Sequence, residues 1–204
     1  MDVWLLQLHV ADELLARCEG ALQAHEQAQQ RRFLTEPLRR QYASCRGQLR
    51  HILATYLGCQ PIDVQLRNEP WGKPVLATEH ASNLSFNLSH SDDAAVCAVS
   101  IESVGVDLER VRKVSEANEL AAPYLPDAEA ASVARAPARE RDRLFLRYWT
   151  RYEARAKASG RGITGPLADI ASNYWVQDLS LPNGFVGALA TPAATTIRYI
   201  CCCG

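Results

Sequence analysis

A chain of 204 residues with 48% hydrophobic residues, 22 basic and 23 acidic side chains is long enough to bury a substantial core, and its composition excludes intrinsic disorder. The formal net charge of −1 argues against a general nucleic-acid or membrane-surface binder, which usually carries a basic excess. No run of ~18 apolar residues occurs, and Met1-Asp2-Val3-Trp4 lacks the basic start and apolar run of a leader, so a cytoplasmic protein is expected.

Val3 to Val10 has the apolar density of a strand, and Asp12 is placed to cap a helix carrying Leu14, Leu15, Cys18 and Leu22. Cys45, Leu49, Ile52, Leu53, Tyr56 and Leu57 recur at helical spacing from Tyr42 onward, and Gly58 closes that helix. Leu84 to Ser89 and Ala94 to Ile101 read as strands joined around Ser91-Asp92-Asp93, with Val104 to Glu109 a third strand of a meander-like centre. Ala138 to Ser159 reads as a helix with a stripe of Phe145, Trp149, Tyr152 and Ala156, stopped by Gly160 and Gly162. Further strands are expected near 174–179 and 185–190. This order predicts an α+β protein of two similar α/β halves, 1–101 and 102–204, each a small antiparallel sheet packed with helices, together a pseudo-dimer in one chain.

The cysteines show no metal spacing. Cys18, Cys45, Cys59 and Cys97 are scattered and Cys201, Cys202 and Cys203 are consecutive, so reduced thiols are expected, with the first four acting as small buried hydrophobes.

Chemistry concentrates in four places. Asp107 and Glu109, two apart on a strand, share one face while Val106 and Leu108 take the other; the pair suits a shared hard divalent cation, or is an ordinary solvated strand edge. Glu153 and Lys157 lie four apart on the later helix beside Trp149, either a surface ion pair or a third carboxylate and a cation for phosphate chemistry. Phe86-Asn87-Leu88-Ser89-His90-Ser91 ends a strand in hydroxyls and an imidazole that could face an anion. Trp71-Gly72-Lys73-Pro74 is a turn whose lysine is ordinarily solvated. Residues 31–50 add six arginines (31, 32, 39, 40, 46 and 50) against the single acid Glu36, a solvated helix face or an anion-binding wall.

Taken in order, Trp-Gly-Lys-Pro at 71–74, Phe-Asn-Leu-Ser-His-Ser at 86–91, Val-Gly-Val-Asp-Leu-Glu at 104–109 and Trp-Thr-Arg-Tyr-Glu-Ala-Arg-Ala-Lys at 149–157 resemble the 4′-phosphopantetheinyl transferases of the surfactin-synthetase-activating type. The resemblance runs on through Gly160-Arg161-Gly162-Ile163 and covers most of residues 31–170. It implies transfer of the phosphopantetheine arm of coenzyme A to a serine of an acidic apo acyl or peptidyl carrier protein. It further implies Mg²⁺ held by Asp107, Glu109 and Glu153, Glu153 as base, and Lys157 at the departing phosphate. Lys73, Ser89 and His90 would contact the nucleotide phosphates. A monomer with no nucleic-acid or membrane partner is expected. The chain departs from the family pattern at Tyr152, where lysine is usual, and at Glu26 and Gln29, where many members are basic. An expected arginine falls near Gln41, for which Arg39, Arg40 or Arg46 would substitute. These departures motivate a second reading, a coenzyme A or carrier-protein binding module of the same fold without activity.

Overall fold

The computed structural model describes residues 1–160 and 173–201, and in them the apolar alternation of short strands builds two sheets that share one core. The first sheet has the order β4 (Ser85–Ser91), β5 (Ala94–Ser100), β1 (Asp2–Gln7), β9 (Arg198–Cys201). The second has the order β6 (Gly105–Arg110), β8 (Phe185–Thr191), β7 (Trp175–Asp178), all antiparallel. A small ribbon, β2 (Leu66–Asn68) with β3 (Pro74–Leu76), stands apart from both. Between β1 and β2 run α1 (Asp12–Gly20), α2 (Ala24–Arg31) and α3 (Glu36–Leu57); between β6 and β7 run α4 (Ala117–Tyr124), α5 (Asp127–Arg135) and α6 (Ala138–Ser159). The architecture is α+β. Among the described residues no helix is long and apolar enough to cross a membrane.

Period-two alternation decides which side chain goes where. Leu6 of β1 and Ala95, Cys97 and Val99 of β5 pack with Phe86 against the Cys45, Leu49, Ile52 and Leu53 stripe of α3. Their neighbours Val3, Val96 and Ala98 face the other way and meet Val106, Leu108 and Leu189 of the second sheet. The far face of that second sheet takes α6, through Ala188 and Ala190 against Ala154 and Ala158. The layers are therefore helix, sheet, sheet, helix.

The two long helices follow their sequence signals closely. α3 ends at Gly58 with φ 65° and α6 at Gly160 with φ 71°, left-handed positions that favour glycine. α3 starts earlier than its apolar repeat, because Pro37 in the first turn needs no donor there. Asp12 does not cap α1. The cap position is Ala11, in extended conformation, and the Asp12 carboxylate instead accepts a bond of 2.7 Å from Arg40 of α3. The expected meander is also corrected: β4 and β5 form a hairpin, but β6 crosses to the second sheet and pairs with β8. Finally, the first sheet is not purely antiparallel, since β9 returns to run parallel to β1. Cys18, Cys45 and Cys97 are buried and Cys59 half-buried. Cys202 and Cys203, and the segment from Arg161 to Ile163, lie outside the described residues.

Two local arrangements hold this frame. Arg198 on β9 forks onto both oxygens of Asp2 at 2.8 and 2.6 Å, and Tyr56 of α3 donates to the same carboxylate at 2.5 Å. In the other arrangement Glu26 and Arg50, 1% and 0% exposed, form a buried pair at 2.5 Å that ties α2 to α3. Arg50 also donates to the carbonyls of Pro61 and Val64.

α6 lies unusually close to β6, and Gly105 makes this possible: a Cβ there would sit 2.0 Å from the Ala154 carbonyl oxygen and 2.3 Å from the Ala158 nitrogen. Both obstacles are backbone and cannot rotate away. Gly105→Ala should therefore cost stability at the upper end of the ~1–3 kcal/mol typical of overpacking, read by denaturant titration. Parental stability in that variant would mean the helix rides farther from the strand.

The Asp2 carboxyl is held below its ordinary value of 3.8, first by the hydrogen bonds from Arg198. A depressed carboxylate stabilises the fold above its unfolded pKa and loses that contribution as pH falls through the folded one. Asp2→Asn should melt below the parent at pH 7, and the gap should close below about pH 3.8. A gap of constant size across that window would show that the carboxylate charge contributes nothing.

Candidate active site

β4 and β6 belong to different sheets, yet the side chains of one bind the backbone of the other. Asn87 Oδ1 accepts the Val106 N–H at 2.8 Å, Ser89 Oγ the Leu108 N–H at 3.3 Å, and Ser91 Oγ the Arg110 N–H at 3.0 Å. A period of two on both strands keeps the teeth of this comb in register. The same alternation points Asp107 and Glu109 away from the shared core.

Asp107 is 3% exposed, and its Oδ1 takes a bond of 2.8 Å from Ser89 Oγ and one of 2.5 Å from Lys157 Nζ. Lys157 also reaches Ser89 Oγ at 3.0 Å, so that hydroxyl donates once and accepts twice, which is its full capacity. Asp107 Oδ2 is buried and has no partner among the described residues. Burial pushes the Asp107 carboxyl up to about 6, with the Lys157 charge pulling against it and Glu153 adding to it. Glu153 is fixed by the indole N–H of Trp149 at 2.7 Å, and its other oxygen lies 3.6 Å from Lys157 Nζ. Tyr152, 0% exposed, packs with Trp149 and Tyr124. One strand step along, Glu109 Oε2 accepts from Ser91 Oγ at 3.0 Å and from Arg112 at 2.7 Å.

The structure thus brings together Ser89, Asp107, Glu153 and Lys157, with Glu109 next in line. His90 is exposed at their edge, and partial burial followed by the Lys157 charge holds its imidazole below 6.5. Lys73 is half-buried rather than solvated: its amine donates to the carbonyls of Lys157 at 2.7 Å and Val104 at 3.1 Å, at the C-terminal end of α6 where a cation is favoured. Desolvation lowers its pKa. Arg39, Arg40 and Arg46 do not join the cluster. Arg39 binds the Phe33 carbonyl and Glu36, Arg40 binds Asp12, and Arg46 binds the buried Glu26 at 3.0 Å. Sequence reasoning passed over the roles of Asn87 and Ser91 and the donor role of Trp149. The signal for the first two is the matched alternation of small polar residues at 87, 89 and 91 and acids at 107 and 109.

Among the described residues no three His, Cys, Asp or Glu side chains converge into a protein-only metal cage. Mg²⁺ does not need one, because it takes one or two carboxylates and completes its shell with water and phosphate oxygens. Asp107 Oδ2, which has no partner among the described residues, is a hard oxygen of the kind such an ion takes, and the carboxylates of Glu153 and Glu109 are its neighbours for a second position.

Comparison with known proteins bears on the same residues. A family model described as "4′-phosphopantetheinyl transferase superfamily" matches residues 103–181, and one described as "4′-phosphopantetheinyl transferase, N-terminal" matches residues 11–102. The chain is 37% identical over 165 residues to the 4′-phosphopantetheinyl transferase HetI of Nostoc sp., covering 80% of this chain and 70% of that one. It is 29% identical to a putative 4′-phosphopantetheinyl transferase of Synechocystis sp., covering 77% of this chain and 64% of the relative. It is 24% identical to the 4′-phosphopantetheinyl transferase Sfp of Bacillus subtilis, over 58% of this chain and 51% of the relative.

Proposed function

The chain belongs to the 4′-phosphopantetheinyl transferase superfamily, and on that premise we propose that it moves the 4′-phosphopantetheine moiety of coenzyme A onto a serine of an apo acyl or peptidyl carrier protein, releasing adenosine 3′,5′-bisphosphate. The observation that carries the reading is the contact of Lys157 with both Ser89 and Asp107 beside Glu153, an acidic cluster with the Lys157 cation at its centre.

In this reaction the carrier serine oxygen bonds to the pantetheine-side phosphorus while the phosphoanhydride bond to the nucleotide breaks. The serine proton must leave, and negative charge builds on the departing phosphate. Glu153, oriented by Trp149, is the proposed acceptor of that proton. Lys157 is the proposed cation that neutralises or protonates the leaving phosphate. Asp107, Glu109 and Glu153 are the proposed Mg²⁺ ligands, and the ion, when bound, would offset the charge of the pyrophosphate. His90 is exposed beside Lys157, which supports a nucleotide contact. For Lys73, Ser89, Arg39, Arg40 and Arg46 the same contact requires exchange of present bonds. That exchange is easy for the exposed Arg40–Asp12 pair and costly for Arg46, whose partner Glu26 is 1% exposed. We also read residues 1–101 and 102–204 as two similar halves with the site at their seam, and the protein as a cytoplasmic monomer acting on coenzyme A and an acidic carrier.

Incubating apo carrier proteins with coenzyme A, Mg²⁺ and the enzyme should add one phosphopantetheine mass to the carrier. Glu153→Gln and Lys157→Ala should each slow loading by about 10²–10³-fold. Near-parental loading by either variant would sink the assignment of roles. No mass gain on any member of a carrier panel would favour the inactive binding module.

A further inference from the structure

The two acidic side chains of β6 are held by the same device. One oxygen of each takes both a β4 hydroxyl and a cation: Ser89 and Lys157 on Asp107 Oδ1, Ser91 and Arg112 on Glu109 Oε2. The pairs are 18 residues apart in both cases, so the device repeats with the strand period. A serine hydroxyl is normally a free rotor, but Ser91 is not, because its oxygen accepts the Arg110 N–H at 3.0 Å. Its proton is thereby left for Glu109. With Oε2 held by two donors, Oε1 is the oxygen of Glu109 left outside that pair of bonds.

From this geometry we propose that Ser91 is a positioning residue, which fixes the Glu109 carboxylate so that its second oxygen is presented to the divalent cation of the bound donor. The inference rests on the reading of Glu109 as a metal ligand. It differs from a purely structural part for Ser91 as a peg between sheets, the part that Asn87 plays toward the Val106 N–H. A peg affects stability; a positioning hydroxyl affects the carboxylate it orients. Hydrogen-bond partners behind metal ligands typically change affinity or rate by about 10–100-fold when removed.

The test uses the full chain as Ser91→Ala and Ser91→Thr, with Mn²⁺ as the metal probe. Thermal melting, carrier-loading kinetics against coenzyme A, and Mn²⁺ binding in the presence of coenzyme A by electron paramagnetic resonance are measured on each. Ser91→Ala should weaken Mn²⁺ binding and lower kcat by about tenfold, with KM for coenzyme A within about twofold of the parent. Ser91→Thr, which keeps a hydroxyl, should restore both. Ser91→Ala that melts lower while keeping Mn²⁺ affinity and kcat would overturn the proposal in favour of a peg, and so would equal impairment of the two variants. Glu109→Gln provides the separation from the underlying reading: if it leaves Mn²⁺ binding and loading intact, the ligand role of Glu109 fails, whatever Ser91 does.

Discussion

Three side chains of one strand, Asn87, Ser89 and Ser91, stand in for the carbonyls that a neighbouring strand would have offered to the N–H groups of Val106, Leu108 and Arg110. Everything that makes this site depends on that substitution. A backbone ladder would have fused β4 and β6 into one continuous surface about 4.8 Å apart, with no hydroxyls between them. A side-chain comb satisfies the same buried donors while leaving the two sheets separate enough to enclose the Val3, Val96, Val106 and Leu189 core. It also brings hydroxyls to the carboxylates, because each serine has a proton left after accepting.

The second half of the arrangement comes from size. Ala154, Ala158, Ala188 and Ala190 are all small and buried, and with Gly105 they let α6 settle onto the second sheet at backbone distance. Only at that distance can Lys157 reach both Ser89 on the first sheet and Asp107 on the second. The result is a buried acid with one oxygen satisfied and one without a partner among the described residues. Burying such a group costs free energy unless something completes its shell, and its raised pKa expresses that cost. The strain sits where the proposed cation would relieve it.

Much of this was legible in the residues themselves. The helical stripe ending in Gly58 and the one ending in Gly160 are long and periodic, so α6 could be read to its ends, whereas the apolar repeat of α3 begins at Tyr42 and the helix itself at Glu36. The pairing of Asp107 with Glu109 and of Glu153 with Lys157 follows from strand and helix periods alone. What could not be read is which surfaces meet. An apolar run such as Val104 to Glu109 looks the same whether it continues a meander or crosses to a second sheet. Asp12 carries a sound capping signal, but an arginine 28 residues away competes for its carboxylate. Arg46 has the composition of an anion-binding group and is spent on Glu26, a partner 20 residues off that no local pattern reveals. Ser89 is read as a phosphate contact from the family resemblance, whereas its burial against Asp107 and Lys157 is a property of the seam.

The return of β9 to the edge of β1 has a consequence for synthesis. Asp2 and Arg198 are 196 residues apart, so the strand made first waits for a neighbour made near the end of the described chain. At ~5–20 residues per second, translation leaves the outer edge of β1 without its partner for about 10–40 s. During that time the nascent chain carries an open strand edge, the kind of surface that pairs with other chains. The first sheet of this protein is thus begun by β1 and closed only by a strand synthesised 196 residues later.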